Sequence, residues 1–233
     1  MDRRQANWRA GGQTAGVVRI GDTVRRPLGP GAGFVRSLLR HLESVGFDGA
    51  PRYLGVDECG REILSYIPGH VPPELGNYSD AILQSAASLI RRYHDATLPL
   101  FDTAASRGAG IEVACHNDLS PCNTVFRDGQ PYAFIDFDAA APGSRAYDLG
   151  YAAWLWLDVG GESHPSWEQS RRLRLFLSAY GSDLADAAIV QAMLDRQAIV
   201  IAEAARTGKE EMADWAKNSK RWTLRHWLPA SEA

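Results

Sequence analysis

The stretch CHNDLSPCN, residues 115–123, grows out of the apolar-leaning run IEVAC and is followed closely by the turn signal RDGQP. Downstream, residues 134–138 read FIDFD, a second acidic pair at the end of another apolar run. Asp118 at a strand end can accept the proton of a hydroxyl nucleophile, and Asn123, five residues on, can offer a carbonyl oxygen to a hard cation. Asp136 would supply the carboxylate that bridges such a cation to phosphate oxygens. Oxygen donors without a histidine or cysteine ligand favour magnesium over zinc, and the set suits phosphoryl transfer.

Working outward, residues 17–26 (VVRIGDTVRR) predict two short strands around a Gly21-Asp22 hairpin, ended by Pro27. Val35, Leu38, Leu39, Leu42 and Val45 recur at helical spacing, with Gly46 where a C-terminal cap belongs. RYLGV and EILSYI predict two more strands around the turn DECG, closed by Pro68-Gly69. Beyond a proline-containing connection the pattern becomes mostly helical. Ile82, Ala86, Leu89, Ile90 and Tyr93 form one stripe, and three or four helical segments are expected, near 147–158, 165–180, 183–206 and 208–222. Between them EVAC and YAFIDF read as strands bracketing the acidic loop, with a turn at RDGQ. The expected class is α+β, a small antiparallel-sheet lobe with one helix (residues 1–69) and a larger helical lobe (70–233).

Composition narrows the function. The 233 residues are 45% hydrophobic, enough for a sizeable core, and the net charge of −3 with mixed signs argues against a nucleic-acid partner. Three cysteines without a CxxC pair favour a reduced, cytoplasmic setting over a disulfide framework or zinc knuckle. YAAWLWL, the longest apolar run, is too short to span a bilayer, so no membrane partner is expected. The basic KNSKRWTLRHW segment reads as a solvated helix face.

His116, Asp118 and Asn123 in HNDLSPCN, Asp136 in FIDFD and the trailing YDLGYAAW resemble the aminoglycoside phosphotransferase and choline kinase group, small-molecule kinases of protein-kinase-like fold. HxDxxxxN alone recurs by chance in about one chain per hundred of this length, so its conjunction with IDFD and YDLG carries the resemblance. The resemblance implies a bilobal kinase fold with ATP and Mg2+ as cofactors and a small-molecule hydroxyl as phosphate acceptor. It implies that Asp118 is the catalytic base, that His116 braces the loop, and that Asn123 and Asp136 hold magnesium. Asp148 would fix the helix that follows, while Asp138 either assists a second metal or faces solvent.

For the nucleotide, AGGQTAG (residues 10–16) lies where a glycine-rich phosphate loop would sit, making Gly11 and Gly12 candidates, although it lacks the GxGxxG spacing. Arg25 and Arg26 stand where such kinases carry a phosphate-binding lysine, and the resemblance favours Arg26, the one directly before proline. Glu43, the only acid in the following helix, is displaced from the usual pairing position. LSYIPG falls at the expected hinge, where backbone groups of Ser65, Tyr66 and Ile67 would hold adenine. The displaced Glu43, the arginine for lysine and the missing GxGxxG leave an alternative open, a kinase-like nucleotide-binding or regulatory protein without phosphotransfer.

Overall fold

The computed structural model describes residues 16–181 and 186–227. The hairpin expected at Gly21-Asp22 forms, joining β1 (Val18–Ile20) to β2 (Thr23–Arg26). Gly21 there has φ 59°, a left-handed value that suits glycine. Helix α1 (Ala32–Ser44) then buries Val35, Leu38, Leu39 and Leu42, each worth about 2 kcal/mol in apolar transfer. β3 (Tyr53–Val56) and β4 (Glu62–Ser65) complete one antiparallel sheet in the order β1-β2-β4-β3. Its register sets Arg26 opposite Glu62.

After β4 the chain crosses to the helical part through Pro68-Gly69. His70 exchanges backbone hydrogen bonds with Phe126 (2.9 and 2.7 Å), anchoring this crossing. A Cβ on Gly69 would lie 2.4 Å from a Val125 methyl and 2.5 Å from the Phe126 carbonyl oxygen, so only glycine fits. Helix α2 (Asp80–Thr97), capped by Ser79, runs through the core, and a short α3 (Ala104–Gly108) follows. Tyr93 on α2 is fully buried among the rings of Phe47, His116, Phe134 and Phe137.

Next come β5 (Val113–Cys115), β6 (Thr124–Arg127), β7 (Gln130–Phe134) and β8 (Ala141–Gly143). The strands read from EVAC and YAFIDF are present, but they are not partners. β5 pairs with β8 and β7 pairs with β6, two strands the sequence reading left as loop. The last four helices are α4 (Arg145–Leu157), α5 (Ser166–Tyr180), α6 (Asp186–Arg206) and α7 (Glu210–His226), close to the expected spans. Gly150 of the YDLG motif lies where α4 meets α6, and a Cβ there would sit 2.8 Å from the Ile189 carbonyl oxygen and the Met193 nitrogen. Both Trp154 and Trp156 are fully buried, so neither lines a cleft by its exposure. Trp154 stacks on Trp215 with centroids 4.4 Å apart, and the Trp156 indole donates to the Leu119 carbonyl (2.8 Å). The architecture is α+β, a small antiparallel sheet with one helix beside a larger helical part. No helix of the described residues is long and apolar enough to cross a membrane.

Candidate active site

β5 delivers the chain into the loop His116–Asn123, and buried Asp148 on the first turn of α4 holds that loop. Its carboxylate accepts from the backbone N–H groups of His116 and Asn117 (2.8 Å each) and from Nε2 of His94 (3.1 Å). Asp148 therefore fixes the His116–Asn123 loop to the helix that carries it. Its carboxyl pKa lies below the usual value: burial acts upward, and the bond from His94 with the charge interactions overcomes it. His94 continues the chain of contacts to the Tyr180 hydroxyl (2.8 Å), on which Arg145 donates (3.2 Å). With these contacts Asn117 stays at φ 65°, a left-handed conformation that asparagine tolerates better than most residues.

His116 is fully buried, its Nε2 donating to the Ile135 carbonyl (3.1 Å) and its ring 4.5 Å from Phe137. It links the loop to the segment that carries Asp136. Burial pushes its pKa from 6.5 down to about 4. A folded-state pKa below the unfolded one means that the unfolded chain binds the extra proton first as pH falls. Stability contributed by neutral His116 is therefore present above about pH 6.5 and lost progressively toward pH 4. In His116→Gln, the loss of thermal stability between pH 6.5 and 4 is expected to shrink by about 3 kcal/mol relative to the parent, measured by unfolding at each pH.

Asn123 ends a short 3-10 turn, and its amide N–H groups reach the Asp118 carboxylate (2.7 Å) and the Asp118 carbonyl (3.1 Å). Asp118 and Asn123 thus form one unit. Burial raises the Asp118 carboxyl pKa, the Asn123 bond opposes this, and the charge of Asp136 adds to the rise. Asp136 lies two residues beyond β7 rather than on the strand, at φ 64°, starting the 3-10 turn Phe137–Ala139. Its pKa is also raised, by burial and then by Asp138, against the pull of Arg26.

Arg26 reaches across from the sheet. It donates through Nε to Glu62 and through one terminal nitrogen to Asp136 (3.2 Å), and its other terminal nitrogen forms an ion pair with Asp138 (2.7 Å). Of the two arginines, Arg26 is therefore the one that meets the acidic site, while Arg25 lies near Asp57 (3.9 Å). The partner of Arg26 is Glu62, its cross-strand neighbour, and not the helical Glu43 on which the sequence reading dwelt. Asp138, left open between metal and solvent, is an ion-pair partner of Arg26.

In the segment expected as the hinge, the N–H of Ser65 donates to the Arg52 carbonyl and that of Tyr66 to the Asp22 carbonyl (2.9 Å each). The Ile67 N–H has no backbone partner among the described residues. Gly11 and Gly12 lie outside the described residues.

Among the described residues no group of three His, Cys, Asp or Glu side chains could hold a metal. The donors that converge here are an amide and a carboxylate. Asn123 spends its N–H groups on Asp118, leaving its carbonyl oxygen, and Arg26 binds one oxygen of Asp136, leaving the other. Hard oxygen donors in this number fit magnesium, which keeps waters and substrate oxygens as its remaining ligands.

Asp118 and Ser120 open onto a cavity of about 400 Å³. Its walls come from α4 (Tyr151, Leu155), α6 (Val200, Ala204) and α7 (Met212, Trp215). The sequence reading named none of these wall residues as site residues, nor Arg196. Arg196 on α6 donates to the Asn117 carbonyl and to the Tyr147 hydroxyl (3.0 Å each), and its guanidinium lies 4.0 Å over the Tyr151 ring. It is 79 residues from Asn117, so no local pattern could have shown the contact. Tyr151 and Leu155, four apart on a helix, were the available signal for the cavity wall.

Comparison with known proteins bears out the resemblance read from residues 116–154: residues 109–190 match the family described as APH, phosphotransferase enzyme family. The chain is 40% identical over 157 residues to the trifolitoxin immunity protein of Rhizobium leguminosarum bv. trifolii, covering 62% of this chain and 59% of that protein. Among solved structures it resembles a choline/ethanolamine kinase family protein from Mesorhizobium loti, with TM-score 0.63 and 16% identity over 96% of this chain and 88% of that one. It also resembles aminoglycoside phosphotransferase APH(3'')-Id from Streptomyces rimosus in complex with ADP and streptomycin, with TM-score 0.56 and 16% identity over 78% of this chain and 92% of that one. At these identities the structures show a shared protein-kinase-like fold.

Proposed function

We propose that this chain is an ATP- and magnesium-dependent phosphotransferase acting on a hydroxyl of a small molecule in the cytoplasm. The observation that carries the reading is the Asp118–Asn123 bond together with the charge interaction of Asp136, itself bonded by Arg26 from a separate sheet, with Asp118, which lines a cavity. ATP would bind between residues 1–69 and 70–233, with Arg26 toward its phosphates and Ile67 toward adenine. Magnesium, held by Asn123 and Asp136, would neutralise the triphosphate's charge. Asp118 orients the acceptor hydroxyl and takes its proton as the new oxygen–phosphorus bond forms and the bond from the γ-phosphorus to the bridging oxygen breaks, releasing ADP. A carboxyl whose pKa is raised by burial is the better proton acceptor of the two states. The likeness to an immunity protein supports an acceptor that is a toxin or antibiotic, inactivated by the added phosphate. The test is ADP release from Mg·ATP with a panel of hydroxyl compounds: stimulation above the water-only rate supports transfer, and none with any compound opposes it.

One observation bears on the alternative of a kinase-like protein without phosphotransfer. All three donor-bearing nitrogens of Arg26 are already engaged by carboxylates, so contact with phosphate requires exchanging one of them. Arg26→Lys keeps the charge but loses the fork that meets three acids at once. It is expected to raise the KM for nucleotide by about 10-fold, roughly 1.4 kcal/mol, with a smaller change in kcat. An unchanged KM would remove Arg26 from the nucleotide site.

A further inference from the structure

The cavity beside Asp118 carries information about the acceptor that the phosphotransferase reading leaves open. Leu75 from the connection, Leu155 from α4, Val200 and Ala204 from α6, and Met212 and Trp215 from α7 make most of its surface. Val200 and Ala204, four residues apart, share one face of α6, and Met212 and Trp215, three apart, share one face of α7. Three helices thus turn apolar stripes toward a common space. Among the described residues, the charged lining residues besides Asp118 are Glu203 and Lys209, one of each sign and both exposed. Glu203 also has Arg206 at 3.8 Å.

This balance decides against two acceptor chemistries. A polycationic sugar needs several carboxylates to replace the water around its ammonium groups, since an unpaired charge is costly to desolvate. One exposed acid, offset by a lysine, does not supply them. A quaternary or primary ammonium could instead lie against aromatic faces. Here the Tyr151 ring already carries the Arg196 guanidinium at 4.0 Å, and one face of Trp215 is covered by Trp154. A second cation at Tyr151 would be repelled by the first.

We infer that the acceptor is an uncharged alcohol with a mainly apolar body, seated against Leu155, Val200, Met212 and Trp215 with its hydroxyl at Asp118. The class rests on the phosphotransferase reading for that last placement, while the binding preference rests on the cavity alone. A volume of about 400 Å³ lies within the range of pockets that enclose a small ligand. Met212, flexible and part-exposed, would adapt its side chain to the bound body.

The test separates binding from turnover. 3-Phenylpropanol and 1-decanol as neutral alcohols, with kanamycin and choline as cations, are titrated by calorimetry into the full chain, wild type and the variants Met212→Glu and Leu75→Asp. Both substitutions are at positions that are not fully buried. The expected result is binding of at least one neutral alcohol, weakened about 10-fold or more by either variant, and weaker binding of kanamycin and choline. Tighter binding of either cation, no binding of a neutral alcohol at millimolar concentration, or binding indifferent to both substitutions would overturn the inference. ADP release is then measured with the alcohols that bind. Binding without ADP release leaves the acceptor preference standing and counts against the phosphotransferase reading.

Discussion

Asp118→Asn is expected to lower kcat for phosphoryl transfer by about 10³-fold while nucleotide binding changes little. The substitution keeps the side chain's size, and its amide oxygen can still accept from the Asn123 N–H group that now reaches the carboxylate at 2.7 Å. What it removes is the group able to take a proton and the charge that orients the hydroxyl donor. Half-buried, and raised in pKa by that partial burial, Asp118 is the residue of the loop whose chemistry cannot be supplied by a neighbour. His116 is no substitute, because its Nε2 is committed to the Ile135 carbonyl. ADP release with a working acceptor, measured beside nucleotide affinity, checks both halves. Retained turnover would reassign the base.

The largest effect on stability is expected from Asp148→Ala. Its carboxylate, 1% exposed, serves two backbone N–H groups and the His94 ring, all of which would lose their partner inside the core. Breaking a buried charged network of this kind costs about 3–5 kcal/mol, and for a chain of this size that lowers Tm by roughly 10 °C. Asn117, held at φ 65° between Asp148, Ala139 and Arg196, would also be freed, so transfer activity should fall even in the folded fraction at low temperature. Thermal unfolding followed by assay well below Tm measures the two effects separately. A Tm within 2 °C of the parent would show that the network is dispensable.

The frame of this molecule was legible because its signals are local. The Gly21-Asp22 hairpin, the α1 stripe ending at Gly46 and the four late helices each announce themselves within a dozen residues. The loop that carries both Asp118 and Asn123 is equally local. What escaped depends on partners far along the chain. β6 is four residues long, directly after Asn123, and reads as loop until β7 folds back on it. β8 is three residues with a central proline, recognisable only beside β5.

The acid that meets Arg26 was sought on α1, where Glu43 is the sole carboxylate, yet strand register supplies Glu62 directly opposite. Asp138 could not be placed without knowing that Arg26 crosses to it. Trp154 and Trp156 lie two apart on α4, a spacing that points them to different faces of the helix. On a helix enclosed by neighbours on both sides, each found a buried place.

The central claim is that Asp118, Asn123 and Asp136 surround a divalent cation and a nucleoside triphosphate. Calorimetric titration of ATP, with magnesium and then with magnesium chelated, into the parent chain and Asp136→Asn tests it most directly. The account predicts binding to the parent that is at least about 10-fold tighter with magnesium, and loss of that difference in the variant. Equal affinity with and without magnesium, or no binding at millimolar ATP, would contradict it.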